Sequence, residues 1–159
     1  MALNAEGKAQ NVKASLERYA HEKLVVDEGL LVHFEGLPFE PEHAEEWVEE
    51  SILGFVDQRY HRQVDRDTHG QTTSVLLNFS VFVNRERVLR TNRPHEVRDV
   101  IYDYFTVGTE IPLYDFYNQD FENVLDVMTV AEVVTDGPVP NEDYQQWTLT
   151  LGVDWLQKW

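Results

Sequence analysis

The chain has no cysteine, and that single absence removes disulfide staples, thiolate metal sites and cysteine nucleophiles together. Glycine and proline are scarce, at 8 and 6 of 159 residues, while aromatics make up 12%, so collagen-like, disordered and low-complexity classes do not fit. No apolar run approaches the roughly 18 residues of a membrane span. The opening stretch, MALNAEGKAQNVKASLERYAHEK, has neither the apolar core of a secretion signal nor a lipidation pattern. A soluble, cytosolic protein without membrane contact is expected. Positive charge is also in short supply. Thirteen basic residues against 29 acidic ones give a formal charge of −16, which argues against a duplex-binding domain or a binder of anionic membranes.

What is present is enough apolar sequence, 42%, for one ordinary globular domain over residues 1–159. A chain of this size buries roughly 70% of the surface it exposes when unfolded. The charge is unevenly laid out. Residues 1–58 carry 4 basic and 13 acidic side chains and residues 99–159 carry 1 and 12, but residues 59–98 carry 8 and 4, all eight of them arginine.

Periodicity divides the chain into elements. Val12, Leu16, Tyr19, Ala20 and Leu24 fall on one face of an amphipathic helix that Gly29 would end. Leu30 to Phe34 is a short apolar run. Glu45 to Phe55 reads as a strand in which Trp47, Ser51, Leu53 and Phe55 alternate with Val48, Glu50, Ile52 and Gly54, with a helix from Pro41 to Ile52 as the competing reading. Residues 57–71, DQRYHRQVDRDTHGQ, carry no periodicity and read as an exposed arm. From Thr72 to Asn84 the alternation is clear, with Val75, Leu77, Phe79, Val81 and Val83 on one face and Ser74, Asn78, Ser80 and Asn84 on the other. A second helix is predicted from Pro94, carrying Val97, Val100, Ile101, Tyr104 and Phe105 on one face and ending by Gly108. An aromatic connector follows, and then two strands, Val124 to Thr135 and Tyr144 to Leu156, joined by DGPVPNED. The expected fold is α+β: a largely antiparallel or mixed sheet of about five strands with two helices packed on one side.

Few residues suggest chemistry. His61, Asp65, Asp67 and His69 have the composition of a divalent-metal site but sit together on one loop at a spacing that matches no metal motif. Ser15, Ser51, Ser74 and Ser80 lie in no nucleophile elbow, and there is no phosphate-cradling glycine loop. Carboxylate pairs such as Glu45 with Glu46 and Glu49 with Glu50 are what a −16 protein provides by composition alone. No cofactor, resident metal or catalytic residue is expected. Surface candidates are clearer. Arg85, Arg87, Arg90, Arg93 and Arg98 form a series suited to carboxylates of another copy. Tyr114, Phe116, Tyr117, Phe121 and the terminal Trp159 are aromatic anchors for a subunit interface.

The element order resembles the tail terminator proteins of long-tailed bacteriophages, from the first amphipathic helix through QTTSVLLNFSVFVN and the Val97 to Phe105 helix to LDVMTVAEVV and QQWTLTLGVDWLQ. The resemblance implies a non-enzymatic virion protein, assembled in the host cytoplasm. Six copies would form a ring that caps the tail tube and joins it to the head connector. Its partners would be further copies of itself, the tube protein and the connector protein, with DNA passing through unbound. Separate acidic and arginine-rich segments suit the heterologous contact a ring requires, and a negative lumen repels phosphate. Three alternatives stand beside this reading: another neck or tail-completion protein, an acidic DNA mimic that inhibits a nucleic-acid enzyme, and a metal-dependent hydrolase using the His61 to His69 loop.

Overall fold

The computed structural model describes residues 2–159, apart from the side chains of Glu42 and of residues 57–62. A short 3-10 turn, Ala5–Gly7, leads into helix α1, Ala9–Ala20, which continues as a wider π-helical turn over His21–Asp27. The expected apolar stripe is the buried one: Val12, Leu16, Ala20 and Leu24 are fully inaccessible. On the outer side, Lys13 pairs with Glu17, Arg18 with Glu22 and Lys23 with Asp27, each one helical turn apart. Gly29 ends the element at φ +70°, where its N–H bonds to the Val25 carbonyl and Leu30 N–H reaches back to Leu24. That is the left-handed position glycine fills without strain.

Six strands follow in one mixed sheet, one more than expected: β1 Val32–Phe34, β2 Glu46–Gln63, β3 His69–Asn84, β4 Glu110–Asp115, β5 Asp120–Val139 and β6 Tyr144–Lys158. Helix α2, Arg93–Tyr104, lies between β3 and β4. The strand order is β1-β2-β3-β6-β5-β4, with β1 parallel to β2 and every other neighbour antiparallel. Both helices cover one face. Val12, Leu16 and Leu24 from the first and Val97 and Ile101 from the second share a single core with Val75, Leu77, Phe79, Val81 and Val83 of β3 and Leu149, Leu151 and Val153 of β6. Phe105, just past α2, locks the layers by meeting Phe79 at 4.9 Å and Tyr19 at 5.2 Å.

Four local expectations need correction. The stretch 57–71 is not a loop: β2 runs to Gln63 and β3 starts at His69, with a tight turn closed by Val64 N–H on the Thr68 carbonyl at 2.8 Å. Backbone pairing across a hairpin continues where no apolar alternation marks it. The aromatic connector contains a strand, β4, whose Pro112 is tolerated because β4 is the sheet edge. In DGPVPNED the first four residues still belong to β5, so the reversal starts only at Pro140. The alternation in β2 also breaks, because a register shift between Ile52 and Gly54 moves Phe55 to the helix-covered face opposite Val75. There its ring meets Trp155 at 5.7 Å.

Candidate interaction surface

The metal-like cluster does not come together. The His61 side chain lies outside the described residues. Asp65 and Asp67 are exposed in the hairpin turn, where Asp65 Oδ1 accepts the Asp67 N–H at 3.0 Å and is held below the usual carboxylate range by that bond first. His69 stacks at 6.4 Å on Trp159, and the two exchange backbone hydrogen bonds. Among the described residues no group of three or more histidine or carboxylate side chains is placed to hold a metal ion. Trp159 thus closes the end of β6 against the start of β3.

The arginine series divides. Arg93 forks onto Glu46 with contacts of 2.6 and 2.7 Å and also reaches Glu96, and hydrogen bonding to Glu46 above all keeps its guanidinium more firmly protonated. Arg98 forks onto Asp136 and touches Asp99; the same fork holds the Asp136 carboxyl below its ordinary range. Both are half-buried and serve this chain's own fold. Arg85 donates to the Tyr144 and Asn141 carbonyls at 3.1 and 3.2 Å, and Arg90 pairs with Glu96. Arg87 is exposed, and its guanidinium makes no hydrogen bond or ion pair among the described residues.

The aromatic candidates converge on the outer face of α1. Arg18 lies 3.9 Å above the Tyr114 ring, donates to the Phe121 carbonyl and approaches Glu122 at 3.6 Å, so it ties the β4–β5 turn to the helix. Lys8 covers Tyr117 at 4.1 Å. The turn is shaped from within: Asp115 accepts from the Asn118 backbone and side-chain amides at 3.1 and 2.7 Å, and buried Asn11 accepts the Tyr117 N–H at 2.8 Å. Gln119 completes it at φ +56°. Phe116 and Phe121 are thereby set against one another at 5.4 Å. Together with Phe34 and Leu37, which arrive from β1 and the turn after it, they wall an open groove of about 530 Å³. Its other lining carries Glu17, Glu22 and Glu122 against the one guanidinium of Arg18. Phe34 and Leu37 were not among the sequence candidates. They lie some 80 residues from Phe116, and only the fold joins them.

A second cavity of about 250 Å³ borders Glu28, Glu46, Trp47 and Arg93, but Arg93 and Glu46 are engaged in their fork and Glu28 accepts the Tyr104 hydroxyl. One buried group stands apart. Glu50 points under α1 from β2, is 2% exposed, and neither carboxyl oxygen has a hydrogen-bond partner. Desolvation, with the charge of Glu17 and then Glu35 opposed by Lys13, pushes it up to about 8, so it is neutral at pH 7. Nothing in the sequence separates it from Glu49. The strand register alone decides which of the two is inside.

No protein-family model matches the chain, and no curated protein matches it. Eleven solved chains are similar in fold. One of them, a protein that carries only a serial designation, is 14% identical with a TM-score of 0.60, over 93% of this chain and 95% of the other. At that identity the likeness shows the fold alone. No helix among the described residues is long and apolar enough to cross a membrane.

Proposed function

We propose that the chain is a structural virion subunit of the tail-terminator kind, forming a ring, of six copies by the family's pattern, that closes the end of a tail tube and joins it to the head connector. The observation that carries this reading is the apolar groove on α1. A −16 protein exposes Phe121 to 49% and Leu37 to 60% on the walls of one groove. Contiguous apolar surface of this kind marks a protein contact. The acidic remainder suits a wall along which DNA slides without adhering, because fixed carboxylates repel phosphate. The resemblance in element order supplies the ring and its place in the virion.

The test is capping. Added to tail tubes polymerising from their tube protein, the chain should bind tube ends, seen as terminal density by electron microscopy, and stop elongation. Tubes that keep growing with bare ends in molar excess of the chain would overturn the reading.

A further inference from the structure

The groove has a counterpart on the same molecule. The loop after β3 carries Arg85, Arg87 and Arg90 against the single carboxylate of Glu86, and at its crest Leu89 is 84% exposed, more than any other large apolar side chain described. The loop is held in that posture. Asn84 Oδ1 accepts the backbone N–H groups of Glu86 and Arg87 at 2.9 and 3.0 Å, and Arg85 is anchored on the β5–β6 turn. Val88 packs inward against the core, which turns Leu89 outward. An ordinary surface loop of an acidic protein has no need to present leucine between arginines on a fixed backbone.

We propose that the Leu89 loop of one copy seats in the α1 groove of the next copy, with Leu89 between Leu37 and the Phe116–Phe121 pair and Arg87 facing the carboxylates of Glu22 and Glu122. Three features favour a second copy as the occupant. The loop is apolar at its tip and basic at its flanks, whereas the groove is apolar at its walls and acidic at its rim. The chain as a whole is strongly negative, at −16, so two copies brought together without matched charges repel each other. Loop and groove share no residue, so both are used once per subunit in a head-to-tail contact, the kind that closes into rings. This contact deepens the ring reading and rests on it only for closure.

The absence of cysteine makes the test direct. Leu89→Cys and Leu37→Cys chains are mixed in equal amounts under a mild oxidant, with Leu89→Cys plus Val134→Cys as the control pair, since Val134 is exposed on β5 outside the groove. The expected result is a disulfide-linked dimer that forms at least tenfold faster for the first pair than for the control. In parallel, Leu89→Asp should raise the concentration for half-assembly at least tenfold with an unchanged circular dichroism spectrum, and Arg87→Glu should do so more weakly and mainly at low salt. Assembly of the unmodified chain with no preferential cross-link, and with Leu89→Asp assembling as before, overturns the contact and leaves the ring standing with another interface. Preferential cross-linking within open chains of unlimited length keeps the contact and sinks the ring. Only monomer with no cross-link at any concentration removes both.

Discussion

The two faces of the central sheet come from the same strands, read at alternate residues, and they are built to opposite rules. On the helix-covered face β3 presents Val75, Leu77, Phe79, Val81 and Val83, and β6 presents Leu149, Leu151 and Val153, all sealed from solvent. On the other face β3 presents Ser74, Asn78 and Ser80, which pair with Asp154, Thr150 and Thr148 of β6. Asn78 Oδ1 there accepts the hydroxyls of both Thr148 and Thr150 at 2.8 Å, and Ser74 donates to Asp154. The covered face holds the molecule together by close packing. The other face carries a ladder of short polar side chains that satisfy one another by hydrogen bonds, two of them, Ser74 and Thr150, themselves buried. Most of the apolar side chains of β3 and β6 thus lie on one side of the sheet, and of the large apolar side chains left outside Leu89 is the most exposed.

Adjacent residues test that contrast most sharply. Phe79→Ala on the covered face should destabilise the subunit by about 3–5 kcal/mol, since the cavity faces Phe105 and cannot collapse. Asn78→Ala on the other face should cost less, about 2 kcal/mol, because it opens no large cavity but leaves the buried Thr150 hydroxyl without its acceptor. Denaturant titration of the two variants measures both, and equal losses would erase the distinction between the faces.

Glu50 is the ionisable side chain on the covered face, and its effect is intermediate. Its carboxyl holds a proton in the folded state up to about pH 8 but loses it near 4.5 when unfolded, so between those values the folded state binds more protons. Stability from this group is therefore fully present below about pH 4.5, declines as the pH rises toward 8 and is flat above. Glu50→Met fills the same volume without a charge. It should remove that slope and stabilise the protein by about 2–4 kcal/mol at pH 8 relative to the parent, with little difference at pH 4. Parallel slopes in the two proteins would mean that Glu50 is hydrated or paired.

The same contrast explains what could be read in advance. Where a strand has one apolar and one largely polar face, as in β3 and β6, the period of two is written in the residues and the fold class follows from it. Where it does not, the pattern is lost. β4 is six residues with a proline at its centre and is legible as a strand only because its edge position excuses Pro112. The β2–β3 hairpin past Asp57 is a matter of backbone pairing, to which side-chain periodicity is blind. Phe55 changes face through a bulge that no local residue announces. At the candidate surface Phe116 and Phe121 were visible as aromatics outside any predicted element. Their partners Phe34 and Leu37 were not, because a groove made from segments some 80 residues apart exists only after folding. The arginines were visible as a series, but which of them serve the fold depended on where Glu46 and Asp136 came to lie.

The closed ring built by a head-to-tail contact, as proposed above, has a distinct mass signature. Native mass spectrometry of the unmodified chain, from micromolar to near-millimolar concentration, tests it most directly. The expected result is one discrete assembly, a whole-number multiple of the 18.6 kDa chain whose size stays fixed as concentration rises, with six copies expected. Monomer throughout the range, or a ladder of lengths that grows with concentration, would contradict it.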